Sequence, residues 1–159
     1  VSRAAEYKLI AVNLAREGLE VVRNIRDTNR VSNVPNALRN NLANGTDYTA
    51  VPVFSSLGTP GWALDFSASA ISDDMAKVFR RNSYYVQGAD ASLGTPTPFR
   101  RLLTLNEICK DSNGVMSVVT SGSACASQIG IQVLARVQYG GPLGVQGSSI
   151  IEDKLYAWQ

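Results

Sequence analysis

The sequence predicts an α+β domain, with one long helix laid across an antiparallel β-sheet. Two patterns and their order predict it. Residues Ala5 to Asn29 carry apolar side chains at alternating steps of four and three, the period of a helix with one buried face. From Tyr48 onward the apolar period falls to two, the signature of half-buried strands. The helix comes first and the strands follow in series, which separates the two element types into layers.

The first helix is the most informative element. Tyr7, Ala11, Leu14, Gly18, Val21 and Ile25, with Ile10 and Val22 beside them, form one narrow stripe suited to covering a sheet. Val12, Ala15 and Leu19 form a second apolar strip about a quarter turn round. That strip exceeds what a small monomer needs, and its simplest use is packing against another copy; the alternative is contact with a loop of the same domain. Asn13, Arg16, Glu17, Glu20, Arg23, Asn24 and Asp27 fill most of the opposite side. Arg16 with Glu20, and Arg23 with Asp27, are spaced as ion pairs contributing a few tenths of a kcal/mol each. Ser2 is the N-cap candidate, and the helix should stop near Arg30 to Asn33, because Pro35 biases Val34 away from helical geometry.

Asn33 and Pro35 then read as the start of a short second helix carrying Ala37, Leu38 and Leu42, ended by Asn44-Gly45. Trp62, Leu64, Phe66 and Ala68 alternate with Ala63, Asp65 and Ser67, a half-buried strand. Ile71 to Arg81 is open between a short helix capped by Ser72-Asp73-Asp74 and a turn before a strand at Tyr84 to Gln87. Phe99, Arg101, Leu103 and Leu105 alternate with Arg100, Leu102 and Thr104, and Val115 to Thr120 is a short β-branched strand. Ile129, Ile131, Val133, Ala135, Val137 and Tyr139 share one face of a strand that Gly140-Gly141-Pro142 breaks. Ile150 to Trp158 closes the chain as a strand, although Ile151, Leu155 and Trp158 also fit a helical turn. The pentapeptide Ser-Leu-Gly-Thr-Pro occurs at Ser56 to Pro60 and at Ser92 to Pro96, where Gly-Thr-Pro makes a turn in each case rather than marking a duplication.

At 159 residues, 45% hydrophobic and 18% charged, the chain reads as a single globular domain, 1–159, with the helix over 1–31 and a β-rich head over 45–159. A net charge of +2 gives no support for a nucleic-acid partner. There is no run of about 18 apolar residues to span a bilayer and no signal peptide at the first residues. Histidine is absent, which removes the commonest general base, the commonest metal ligand and most nucleophilic triads. Cys109 and Cys125 flank the turn-rich Asp111, Asn113 and Gly114 and read as a disulfide contributing about 3 kcal/mol, against two independent buried thiols.

The run Asn13 to Asn29 resembles a segment of type IV pilin-like proteins. In many bacterial versions, particularly those of reduced-genome candidate lineages, an A-x-E-G-[IL]-E-x-x-R-N-[IL]-R-D run directly follows the membrane-spanning half of the pilin helix. Ala15, Glu17, Gly18, Leu19, Glu20, Arg23, Asn24, Ile25, Arg26 and Asp27 match it here. Gly45 with Tyr48, Phe99-Arg100-Arg101, Tyr139 and the terminal Leu155-Tyr156-Ala157-Trp158 resemble the family's strand positions more loosely. The chain departs from the family in lacking the N-terminal peptidase site, the Phe-Thr-Leu-x-Glu start and the long apolar stretch, and in having Tyr139 where a Trp is common. The first departure implies a piece that begins just after the membrane half.

The resemblance implies a pilin-like fold and a structural subunit, not an enzyme, of a type IV pilus or related surface filament serving adhesion or twitching motility. It implies as partners other pilin subunits, met through the N-terminal helix, the pilus assembly machinery and a host-cell surface. The stripe of Tyr7, Ile10, Leu14, Gly18, Val21 and Ile25 would dock on the sheet, and Val12, Ala15 and Leu19 would meet neighbouring subunits. The subunit would sit in the cytoplasmic membrane before assembly, through the missing segment alone, and in an extracellular filament afterwards. A pseudopilin of a type II secretion or DNA-uptake machine is the alternative of the same architecture. A carbohydrate- or peptide-binding β-rich domain is the alternative of another class.

No catalytic constellation, cofactor motif or metal site stands out. Gly140-Gly141-Pro142 lacks the Lys-Ser/Thr of a phosphate loop, and Asp111, Asn113 and Gly114 fail the spacing of a calcium loop at Cys109 and Thr120. Asp65, Asp73 and Asp74 read as solvated turn carboxylates in preference to a shared calcium site. Arg80, Arg81, Tyr84, Tyr85, Arg100 and Arg101, near Phe99, form a candidate basic-aromatic surface patch, as for DNA in uptake pilins. Arginines on the wet face of edge strands, discouraging sheet-to-sheet pairing, are the reading preferred. Asn44-Gly45-Thr46 fits a glycosylation sequon but reads first as a turn.

Overall fold

The fold is taken from a computed structural model that describes residues 2–43, 48–55, 61–88, 94–120, 125–140 and 146–157. The N-terminal helix α1 runs Arg3–Val31, and Ser2 caps it, its hydroxyl accepting from the Ala5 amide at 3.3 Å. Eight strands follow: β1 Thr49–Ser55, β2 Gly61–Asp65, β3 Lys77–Arg81, β4 Tyr84–Gln87, β5 Thr95–Lys110, β6 Met116–Val119, β7 Gln128–Gly140 and β8 Gln146–Tyr156. A 3-10 turn over Asp74–Ala76 leads into β3.

The predicted class is corrected. The chain is mostly β: α1 is the only α-helix among the described residues, and nearly half of those residues lie in one eight-stranded antiparallel sheet. A pilin-like α+β domain is therefore not what this chain forms. One physical reason lies in residues 33–43, where a second helix was expected. Asn33, Asn36 and Asn41 take φ of 50°, 57° and 59°, the left-handed region that Asn tolerates and a continuing helix does not. The segment folds as successive turns instead, held by the Asn29 side-chain amide, which donates to the Ala37 and Asn40 carbonyls.

The sixteen residues of β5 are the spine. One edge pairs with β7 from Phe99↔Tyr139 to Cys109↔Gln128, with a register shift near Cys109, and β7 pairs in turn with β8 from Gly130↔Tyr156 to Gly140↔Gln146. The other edge of β5 is shared by β3, β1 and β6. Alternation puts Phe99, Leu103 and Leu105 of β5 and Ile131, Val133, Ala135, Val137 and Tyr139 of β7 into the main core with the apolar residues of α1. Leu102 belongs to a second, smaller cluster with Val51 and Ala68, flanked by Val53, Ile71 and Met75.

Local chemistry sets the strand ends. The strand expected over Trp62 to Ala68 stops at Asp65, whose carboxylate accepts from the Ser67 amide at 2.8 Å and closes a turn. The open region before β4 resolves as the 3-10 turn plus a β3–β4 hairpin, with Asn82 at φ 56°. Gly94, in the second pentapeptide, has φ 145°, and a Cβ there would sit 2.4 Å from the Arg80 carbonyl oxygen, so only glycine lets β3 approach. The first pentapeptide, the Asn44-Gly45-Thr46 turn, Gly141-Pro142 and Trp158 lie outside the described residues. Over Ile150 to Tyr156 the chain is strand, not helix.

Candidate functional site: the junction of helix and sheet

Several residues of the helical motif meet at one place, the contact of α1 with the sheet, where α1 lies mainly against β7 and β8. At its centre is Arg101, an inward position of β5 and fully buried. Its Nη1 donates to the Leu14 carbonyl at 2.9 Å and to Glu17 Oε1 at 3.1 Å, and its Nε donates to Gln87 Oε1 at 2.6 Å. Gln87 in turn donates to the Arg101 carbonyl at 2.7 Å. The buried Nη2 has no hydrogen-bond partner among the described residues. Burial pushes the Arg101 guanidinium below its ordinary value, and the Glu17 charge and hydrogen bond work against that. A buried cation held from one side by a helix and from the other by β4 fixes the azimuth of the helix; generic apolar packing does not.

One turn on, Gly18 allows the closest approach. A Cβ there would lie 2.7 Å from Leu103 Cδ2 and 3.6 Å from Arg101 Cδ. Farther along, Arg23 bridges Glu20 and, at 2.5 Å, Asp153 of β8. Arg26, buried, pairs with Asp27 at 2.7 Å and donates to the Tyr156 carbonyl at 3.3 Å. Near the start of the helix, Tyr7, Phe99 and Tyr139 make a three-ring cluster with centroids 5.4–6.0 Å apart.

The stripe predicted to face the sheet does so: Leu14, Gly18, Val21 and Ile25 are buried, and Tyr7 and Ile10 half-buried against the main core. The strip predicted to meet other subunits is corrected. Ala15 and Leu19 are buried in the chain's own core, and Val12 is half-buried. The sheet and its flanking segments wrap farther round the helix than a single stripe requires, so the strip is filled from within. The predicted ion pairs also change: Glu20 takes Arg23 instead of Arg16, and Asp27 takes Arg26.

The basic-aromatic patch is not one surface. Arg80 pairs across the hairpin with Tyr85 and Arg81 with Tyr84, and successive strand residues face opposite ways, so the two pairs lie on opposite faces. Tyr85 packs against the main core. Arg100 is tied to the carbonyls of Ile71, Ser72 and Asp73 and borders a cavity of about 630 Å³ shared with Arg136 and Tyr139. Arg101, read as a wet-face residue of an edge strand, is instead buried in the central strand. Sequence reasoning missed the Arg101–Gln87–Glu17 network, although its signal was present: Arg101 stands in phase with Phe99, Leu103 and Leu105.

Cys109 and Cys125 are bonded, with Cα atoms 5.6 Å apart, joining the end of β5 to the segment before β7. Glu107 lies beside them and holds Arg39 at 2.5 Å, which anchors the turns of residues 33–43 to the same place. Among the described residues, Glu107, Cys109 and Cys125 are also the one grouping of three metal-ligand types, and the disulfide consumes both sulfurs. The three aspartates are turn carboxylates with separate partners: Asp65 with Ser67, Asp73 with the Ser69 and Ala70 amides, and Asp74 with Lys77. Compared with known proteins, the chain has no significant match to a protein-family model, a curated protein or a solved structure.

Proposed function

We propose that this chain is a structural subunit of a type IV pilus or related surface filament, working outside the cell and joined to other copies of itself through the N-terminal helix. The observation that carries the reading is the use made of the pilin-like motif. Glu17, Gly18, Arg23 and Arg26 each take part in seating α1 on the sheet, through the contacts to Arg101, Leu103, Asp153 and Tyr156, and Asp27 pairs with Arg26 within the helix. A helix so firmly held can transmit load between a β-rich head and whatever precedes it. The disulfide supports an oxidising, extracytoplasmic setting.

Because Ala15 and Leu19 are spent inside the molecule, the contact between copies falls to the first turns of α1. Ala5 and Leu9 are exposed there, Leu9 by 63%, and with half-buried Val12 they stand at helical spacing along one side. Subunits would meet through that side and present the sheet outward, to a host-cell surface or to the assembly machinery.

The test has two arms. The coding sequence preceding Val1 is read for an apolar stretch of about 20 residues behind a prepilin-type peptidase site. Antibody raised against the head is then applied to intact source cells under the electron microscope. Labelled thin filaments are expected. A conventional signal sequence upstream, or label spread over the cell body with no filament, would overturn the proposal.

A further inference from the structure

A cleft of about 310 Å³ lies between the second half of α1 and the β1–β2 hairpin, with Glu17, Glu20, Val21, Arg23, Asn24 and Asp27 on the helix side and Trp62 on the hairpin side. Trp62 is directly opposite Phe54 in the strand register, and their rings meet edge to face at 5.5 Å. Both are open to solvent, Phe54 by 54% and Trp62 by 36%. Side by side on an outer hairpin, the two rings make a small apolar surface that a ligand can use. The edge-to-face contact holds the indole as a fixed platform, which lowers the entropy lost when a ligand lies on it.

The polar wall narrows the ligand class. Each of its three carboxylates already holds an arginine of this chain: Glu17 with Arg101, Glu20 with Arg23 and Asp27 with Arg26. That pairing lowers what an arriving cation gains, although Arg23 is shared between Glu20 and Asp153. A carboxylate has about four lone-pair sites and one arginine occupies only part of them, so each can still accept from a hydroxyl. Asn24, exposed beside them, offers both a donor and an acceptor. Weakly polar ring face on one side and hydroxyl-ready groups on the other are the two faces of a sugar, and the volume suits a single ring.

We propose that this cleft binds one residue of a neutral saccharide, its C–H face on Trp62 and its hydroxyls on Asn24 and the paired carboxylates of Glu20 and Asp27. The site does not depend on filament assembly and can be tested on the chain alone. ¹⁵N-labelled full chain is titrated with lactose, maltose, cellobiose and chitobiose in turn, and separately with tetramethylammonium chloride and trilysine as cationic probes. At least one disaccharide should move the Trp62 indole N–H and the Asn24 side-chain amide saturably, with Kd about 1 mM. Trp62→Ala and Asn24→Ala should each weaken that binding at least about tenfold, with circular dichroism unchanged. Where Trp62→Ala loosens the hairpin, Asn24→Ala, on the exposed helix surface, decides. Three results would overturn the proposal: no movement of either signal with any of the four sugars, movement with the cationic probes in place of sugars, or undiminished sugar binding in Asn24→Ala.

Discussion

Glu17→Gln isolates the charge that compensates buried Arg101, because the amide oxygen keeps the hydrogen bond while the negative charge is lost. Unit charges 3.1 Å apart interact by about 5 kcal/mol at an effective dielectric of about 20 and by about 1 kcal/mol in water. The guanidinium is fully buried, but the Glu17 side chain is 37% exposed, so solvent screens the pair from one side. We expect Glu17→Gln to destabilise the chain by about 2 kcal/mol, below the 3–5 kcal/mol seen when a wholly buried pair is broken. Arg101→Met keeps most of the apolar stem and removes the buried cation together with its desolvation penalty. It leaves Gln87 Oε1 without a donor and should lose only about 1 kcal/mol. In the Arg101→Met background, Glu17→Gln should then have almost no effect, a coupling of about 2 kcal/mol. Urea unfolding of the four proteins at neutral pH, compared by midpoint at constant slope, measures all three quantities. A loss below about 0.5 kcal/mol for Glu17→Gln, or strict additivity in the double variant, would refute the account of Arg101 as a cation held by Glu17.

Three further outcomes follow from the same geometry. Gly18→Ala gains about 1 kcal/mol of helix propensity but drives a methyl against fully buried Leu103, a strain of about 1–3 kcal/mol, so urea unfolding should register a net loss of about 1 kcal/mol; a net gain would mean that Leu103 moves aside freely. Cys125→Ser opens a loop with a sequence separation of 16 and should lose about 3 kcal/mol, matched by the wild type under reductant; an unchanged midpoint in both would remove the staple from the account. Asp73 is held below the ordinary carboxylate value by the Ala70 and Ser69 amides, so its contribution to stability is complete above its unfolded value of about 3.9 and is lost as pH falls through the lower folded value. Asp73→Asn should therefore show a shallower loss of stability on acidification than the wild type, followed by thermal melts from neutral pH down to about pH 3, and equal slopes would contradict it.

Much of the sheet was legible because period two survives burial. The strands around Phe99 to Leu105 and Ile129 to Tyr139 show their inward faces in the sequence, and those faces are the core. The docking stripe of α1 was legible for the same reason. The overall class was not, because the asparagines at 33, 36 and 41 look like caps and turn residues in either a helix or a run of turns, and only their backbone angles separate the two. The basic patch failed because neighbours in sequence along a strand face opposite ways, and the charge pattern alone does not say which way an edge is turned.

Local chemistry, written in the order of the residues, determined where α1 begins, which stripe of it is apolar, where strands alternate and that two cysteines flank a turn. Each of those depends on groups a few residues apart. Tertiary structure alone decided that Ala15 and Leu19 are covered, that Arg101 is a buried cation shared by Glu17 and Gln87, and that Trp62 stands across a cleft from Asn24. Those partners are separated by 14 residues for Gln87 and Arg101 and by 84 for Glu17 and Arg101, and burial and dielectric come into being only when the sheet closes over the helix.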